Sequence, residues 1–337
     1  MKTEVLKVNR KNPEKGKIER AANLIQRGEL VAFPTETVYG LGANAFDARA
    51  VKKIFKAKGR PADNPLIVHI SDMDMLDALV ERIPEKAIPL MEKFWPGPLT
   101  LVMKKKRNVP DAVTAGGNTI GVRMPKNRIA RALIKKSGTP IAAPSANAST
   151  RPSPTEANHV YEDLSGRIPL ILDGGKTDVG IESTVLDLTS RTPAILRKGK
   201  IARSDVKKVI GAVVDHTQKK RGKVKSPGQK YRHYAPKAKL VFAREGISAV
   251  RRFISKNKEK KVFVITHLER KNSHRGAYRT LPWGKKSNVS AAARKFFSLL
   301  RRCDQEGADV ILIENPPRKG IGDALYDRIS RGGKRIV

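Results

Sequence analysis

Cysteine is almost missing from this sequence, aromatic residues are sparse, and long apolar runs do not occur. The lone Cys303 excludes a disulfide framework and a cysteine-rich zinc site, and no His-containing motif frames it as a nucleophile. Aromatics make up 5% of the 337 residues, so the cores must be built from Val, Ile, Leu and Ala, and RNP-type base-stacking motifs are absent. No apolar stretch approaches the ~20 residues of a spanning helix. The start, Met1-Lys2-Thr3-Glu4, lacks the apolar core of a signal peptide, so a soluble, cytoplasmic protein with no membrane partner is expected. Two phosphate-binding signatures are also missing. Gly-x-x-x-x-Gly-Lys-Ser/Thr does not occur, and Gly40-Leu41-Gly42 lacks the third glycine of a dinucleotide fingerprint. No His/Asp/Glu group has metal-ligand spacing, and no Gly-x-Ser-x-Gly elbow surrounds any serine.

Acidic residues are scarce as well: 32 Asp and Glu stand against 69 Lys and Arg, a net charge of +37. Residues 1–216 hold 37 basic and 23 acidic residues, net +14, whereas 217–337 hold 32 and 9, net +23. Such a cation attracts phosphate polymers and steers anionic ligands, and it equally suits a merely solvated surface. The length allows two ordinary domains.

Apolar patterning in 1–216 alternates between helix and strand, which predicts an α/β domain. Asp47 caps a helix running to Lys58, with Gly59 past its end and Pro61 forbidding continuation. Further helices are expected at 72–82, 85–94 and 127–136, and one capped by Ser204 and ending at Gly211. Strands are expected at 30–33, 66–70, 99–103, 119–123, 140–143, 168–172, 184–188 and 194–197. Residues 217–237 break this rhythm with the charge run Lys219-Lys220-Arg221-Gly222-Lys223 and the turn Ser226-Pro227-Gly228, and read as a linker. Strands at 239–242, 262–265 and 310–313 then alternate with helices at 247–255 and 290–302, a small βαβ-type domain over 238–337 with parallel strands.

Polar residues punctuate the ends of these buried elements. Lys58-Gly59-Arg60 closes a helix, where a basic pair commonly serves the helix C-terminus, but it is followed by the rigid Pro61-Ala62-Asp63-Asn64-Pro65 and a strand carrying His69. An Arg fork with a mobile Lys charge can hold two phosphoryl groups. Arg123 ends a strand, either in a salt bridge or as a clamp for a carboxylate. Ser145-Ala146-Asn147 follows Pro144, as a turn or as ligand-orienting groups. Glu36, Asp63 and Glu182 are expected to orient neighbouring cations.

Taken in order, these segments resemble the Sua5/YrdC family of threonylcarbamoyl-AMP synthases. The resemblance runs through Phe33-Pro34-Thr35-Glu36-Thr37-Val38-Tyr39-Gly40-Leu41, Lys58-Gly59-Arg60 with Asn64-Pro65-Leu66, and Phe94-Trp95-Pro96-Gly97-Pro98-Leu99-Thr100. It continues through Gly121-Val122-Arg123-Met124-Pro125, Pro144-Ser145-Ala146-Asn147, Gly180-Ile181-Glu182-Ser183-Thr184-Val185 and Leu196-Arg197-Lys198-Gly199. Ser226 to Pro236 and Gly320 to Arg328 mark the long, two-domain form. Lys176 departs from the pattern. The resemblance implies an open, twisted, mixed α/β sheet (YrdC-like) at 1–216, a linker or lid at 217–237 and a smaller Rossmann-like α/β domain at 238–337. It implies formation of threonylcarbamoyl-AMP and pyrophosphate from L-threonine, bicarbonate and ATP, for the t6A modification of tRNA by downstream enzymes. Mg²⁺ would arrive held mainly by the ATP phosphates. Carried over by position, Lys58, Arg60, Ser145 and Asn147 are the catalytic candidates. With Asn64, Thr119, Ser153, Arg197 and Tyr234 they form the expected nucleotide site. Thr35, Thr37, His69, Arg123, Ala143 and Ser183 form the expected threonine pocket. Tyr234, with Tyr231, would close over the cleft, tethered by a second domain without chemistry of its own. Two other classes compete. One is an RNA-binding protein using the basic tail, with direct tRNA contact. The other is a hydrogenase-maturation-type carbamoyltransferase, whose acylphosphatase-like domain and zinc motifs this chain lacks.

Overall fold

The computed structural model describes residues 1–215, 234–243 and 247–336. The expected charge run at 219–223, the turn at 226–228, Tyr231 and His233 lie outside those residues. The described part of the first domain is built on an eleven-stranded mixed sheet. In spatial order its strands are Glu4–Lys7, Leu170–Asp173, Val31–Pro34, Tyr39–Asn44, Ile141–Ala142, Ile67–His69, Thr119–Arg123, Leu99–Lys104, Thr184–Asp187, Ala194–Arg197 and Val214–Asp215. Helices cover both faces. The helix Ala48–Lys58 packs its buried Val51, Ile54 and Phe55 into one core, and the helices Lys15–Gln26 and Arg128–Ser137 close a second core against Val31, Phe33 and Leu172.

Local chemistry explains most boundaries. Asp47 accepts from the N–H groups of Arg49 and Ala50, and Gly59 takes the left-handed conformation at φ 60°, so this helix starts and stops where its sequence directs. Two expected elements are corrected. The helix expected at 72–82 is one short turn, Met73–Asp77, because Val80 is drawn into a bridge with Lys105. Ser204 does not cap the last helix of the domain: Ala202 holds that position, and the Asp205 carboxylate accepts from its N–H. An unforeseen strand, Tyr39–Asn44, carries Gly40 and Gly42. A Cβ at Gly42 would lie 2.7 Å from both Ile141 and Phe33, so neighbouring side chains fill the space a residue there would need.

The second domain has five parallel strands among its described residues, in the order Arg279–Gly284, Val262–His267, Val310–Glu314, Lys239–Ala243 and Lys334–Ile336. The three expected strands form its centre. The two unforeseen ones are its edges, and an edge is where Pro282 can sit without breaking a ladder. The domains share a core: Val38, Val179 and Ile181 of the first are buried among Phe296, Phe297 and Leu325 of the second. At Gly180, φ 81°, a Cβ would meet Arg294 Cα at 2.4 Å, so the helix Val289–Gln305 lies directly on that turn. No helix among the described residues is long and apolar enough to cross a membrane.

Candidate active site

Strand pairing creates the cleft. Ile67–His69 and Thr119–Arg123 run parallel with His69 opposite Arg123, so both side chains emerge at the same carboxyl end of the sheet. His69 also pairs with Ile141, and Gly40 bridges Ser145, which brings the loop after Ala143 to that end. Ligands of open α/β sheets bind outside strand carboxyl ends. A cavity of about 410 Å³ lies here. Thirteen of the fifteen expected residues line it: Lys58, Arg60, Ser145, Asn147, Ser153, Arg197, Tyr234, Thr35, Thr37, His69, Arg123, Ala143 and Ser183. Asn64 and Thr119 do not line it. Asn64 is buried behind Arg60, whose Nη2 donates to the Asn64 carbonyl oxygen (3.0 Å). Thr119 begins the strand that Arg123 ends, roughly 13 Å away at about 3.3 Å per residue, and pairs there with Lys104.

Lys58 does not serve its helix terminus. Gly59 N–H caps the carbonyls of Phe55 and Lys56, and Lys58 Nζ crosses the gap to donate to the carbonyls of Ser145 (2.5 Å) and Asn147 (2.6 Å). Ser149 N–H returns a bond to the Lys58 carbonyl (2.8 Å), so helix and loop are stitched together. Burial, and then the neighbouring Arg60, push the Lys58 ammonium well below its ordinary range. An arriving polyanion would relieve that pressure.

Arg123 is 3% exposed. Its Nη1 donates to Thr37 Oγ1 (2.9 Å) and its Nε to the Gly97 carbonyl (3.2 Å). Its Nη2 lies 2.7 Å from Glu36 Oε1, but off the hydrogen-bonding direction, so neither atom has an aligned partner. Thr35 Oγ1 and Thr37 Oγ1 are 2.8 Å apart, and Thr35 is fixed by donating to the Val38 carbonyl (2.6 Å). Burial and then Arg123 push His69 down to about 3, so its ring is neutral, and its Nδ1 has no partner among the described residues. Ser183 Oγ lies 2.8 Å from Thr100 Oγ1 and accepts from Arg197 Nη2 (3.0 Å).

Three residues of the wall carry no signal in the sequence, and Glu182 orients a cation as expected. Ser149, Thr150 and Arg151 also line the cavity, with Thr150 at φ 71°. Glu182 lines it too, accepting from Ser153 Oγ (2.6 Å) and from Arg328 Nε (2.8 Å) of the second domain. Burial alone would raise the Glu182 carboxyl, but Arg328, Arg197 and Ser153 together hold it below the usual carboxylate range. Tyr234 is buried against Phe297 with Arg328 over its ring, and burial followed by Glu182 pushes its hydroxyl up to about 12. The signal for Arg328 was the Gly320 to Arg328 segment, whose position in the fold no local pattern reveals. Lys176 sits on the surface, 3.4 Å from Glu156, outside the cavity lining.

Fold and site together define a two-domain α/β protein with a buried, cation-lined small-molecule cleft whose one wall is backed by the second domain. Residues 23–199 match the family model described as telomere recombination (the Sua5, YciO and YrdC group), and 201–333 match the C-terminal domain of threonylcarbamoyl-AMP synthase. The chain is 48% identical to the threonylcarbamoyl-AMP synthase of Pyrococcus abyssi, over 97% of both chains, and 44% identical to that of Bacillus subtilis, over 95% of this chain and 94% of that one. It superposes on the crystal structure of P. abyssi Sua5 complexed with L-threonine with a TM-score of 0.93 and 46% identity, covering 99% of this chain and 100% of that one. The chain belongs to the threonylcarbamoyl-AMP synthase family, in its two-domain Sua5 form.

Proposed function

We propose that this protein is an L-threonylcarbamoyladenylate synthase, a nucleotidyltransferase that makes threonylcarbamoyl-AMP, pyrophosphate and water from L-threonine, bicarbonate and ATP. The observation that carries this reading is Arg123: a buried guanidinium with one unaligned N–H edge, facing the same cavity as Lys58 and Arg60. A carboxylate oxygen fits that nitrogen, with Thr37 and the Gly97 carbonyl fixing the rest of the guanidinium. The hydroxyls of Thr35, Thr37 and Ser183 offer partners to a substrate β-hydroxyl. A site built to bond a hydroxyl rejects valine far better than a methyl-sized hollow rejects serine. That the relative from P. abyssi was solved with L-threonine supports the same choice.

On this reading, threonine's amine and bicarbonate condense with loss of water to N-carboxythreonine. One carbamate oxygen then attacks the α-phosphorus in line, forming an O–P bond as the bond from the α-phosphorus to the bridging oxygen of pyrophosphate breaks. No covalent enzyme intermediate is needed, and the task is positioning and charge stabilisation. Lys58 and Arg60 would hold the phosphates, with Ser145 and Asn147 beside them. Arg197, Ser153 and Tyr234 would face the rest of the nucleotide. Asn64 would act through Arg60, and Thr119 from the far end of the Arg123 strand. Magnesium would come as part of the ATP substrate. Glu182, which lines the cavity, is engaged by Arg328, and Glu36, behind the lining, by Arg123; no group of three or more His, Cys, Asp or Glu side chains with metal-binding geometry occurs among the described residues. The product would supply the t6A machinery in the cytoplasm, and direct tRNA contact through the basic surface is a further expectation. Family membership and this cavity favour the enzyme over a bare RNA-binding protein.

Pyrophosphate release tests the reading. It should require both L-threonine and bicarbonate. Equal release without bicarbonate would mean direct amino-acid adenylation and would overturn it.

A further inference from the structure

Two arginines of the second domain are completely buried against the first, and both reach the wall of the cavity. Arg301 is 1% exposed; its Nη2 donates to the Pro152 carbonyl (2.6 Å) and to Asp163 Oδ2 (2.7 Å). Asp163 in turn accepts from Ala148 N–H (3.2 Å) and pairs with Arg151 (2.7 Å). Arg328, fully buried, uses all three of its nitrogens: Nε to Glu182, Nη1 to Asp327 (2.9 Å) and Nη2 to the Lys198 carbonyl (2.8 Å). Buried ion pairs bring little net stability over apolar packing, so two of them braced behind one wall, Arg301 at Pro152 and Arg328 at Glu182, call for another role.

The hydrogen of Ser153 explains what that role is. Ser153 Oγ donates its only hydrogen to Glu182 Oε1, and Arg328, its fork anchored on Asp327 and the Lys198 carbonyl, keeps that carboxylate charged and in place through Nε. Ser153 can then only accept, so it turns lone pairs toward the cavity it lines. An acceptor repels phosphate oxygens and suits an O–H or N–H donor, such as a ribose hydroxyl or the adenine amino group. We propose that Arg328 of the second domain is a positioning residue that acts through Glu182 to make Ser153 an obligate acceptor for the nucleoside half of ATP. The second domain is thereby part of the nucleotide site and more than a tether. This rests on the cleft being an ATP site, as proposed above.

The test is calorimetric titration of the full chain with ATP, with inorganic tripolyphosphate and with L-threonine, none of which requires turnover. Arg328→Lys keeps the charge and loses the fork. It should weaken ATP binding by about tenfold, the upper end of what one neutral hydrogen bond is worth, and leave tripolyphosphate and threonine within about twofold. Ser153→Ala should match it, and the double variant should be no weaker than Ser153→Ala alone, because both act on one bond. Arg294→Ala, which removes another contact between the same domains to the Asp178 carbonyl (3.1 Å), is the control and should leave all three unchanged. Should Arg328→Lys fail to fold, Glu182→Gln interrupts the same relay with Arg328 still present and carries the same expectation. Equal weakening of all three ligands, no weakening of ATP, or additive losses in the double variant would overturn the proposal. Wild-type protein that binds ATP in this pattern but releases no pyrophosphate with threonine and bicarbonate would leave the positioning role standing and sink the assigned reaction instead.

Discussion

The two halves of the cavity are held in different ways. Around Arg123, every polar partner belongs to the first domain: Thr37 and Glu36, 86 and 87 residues away, and the Gly97 carbonyl, with His69 one strand away. Around Ser153, the wall is braced from 146 residues away by Arg328 and from 149 by Arg301. The polar partners of one half all belong to its own domain, whereas the other takes two arginine partners from the second. The second domain therefore contributes selectively. Contacts to an amino acid should survive its disturbance, and contacts to a nucleoside should not.

Removing the second domain breaks the comparison most severely. Truncation after Ala212 would expose Val38, Val179 and Ile181 and strip Glu182 and Asp163 of their buried partners. Losing the burial of those three apolar side chains alone costs roughly 1.5–3 kcal/mol each, against a total stability of about 5–15 kcal/mol. Urea unfolding should therefore show a loss of several kcal/mol together with loss of most turnover. A truncated chain as stable and active as the whole would dissolve the distinction between the halves. Next in size, Arg60→Ala should cut turnover by at least ~10²-fold, the usual cost of removing a donor to developing transition-state charge. Threonine binding should persist, and near-normal steady-state rates would remove Arg60 from the chemistry. Arg123→Lys keeps charge but loses the planar fork, so threonine should bind about tenfold more weakly with ATP affinity unchanged. Calorimetry giving the reverse pattern would exchange the two halves.

The smallest effect is a pH dependence. His69, in the half around Arg123, is held at about 3, and His159, behind the other, at about 4 by burial and then Arg301. Both lie below the free histidine value of about 6.5. The unfolded chain thus binds more protons, and stability contributed by the neutral rings is full above about pH 6.5 and is lost as pH falls toward 4 and then 3. Melting temperature should drop over that window. Arg301→Gln removes that charge and should raise the His159 part of it and leave the His69 part in place, as followed by NMR of the two rings. Two unshifted rings titrating together near their free value would contradict the burial argument.

Local chemistry made much of the half around Arg123 legible in the sequence. The apolar runs at 66–70 and 119–123 carry His69 and Arg123 at or beside their ends, and the strand register then brings the two together. The strand Tyr39–Asn44 was hidden because its glycines look like a loop, although they are required by the side chains of Phe33 and Ile141. The other half was illegible for a different reason. Nothing near Glu182 in the chain announces Arg328, and an arginine inside the amphipathic helix Ile321–Gly332 reads as a solvated charge until the fold buries it. Long-range ion pairs leave no periodic trace.

Mass spectrometry of the adenylate made with carbon-13 bicarbonate tests the central claim most directly. With L-threonine and ATP present, the product should be threonylcarbamoyl-AMP carrying the heavy carbon. An unlabelled threonyl-AMP, or no adenylate at all, would contradict it.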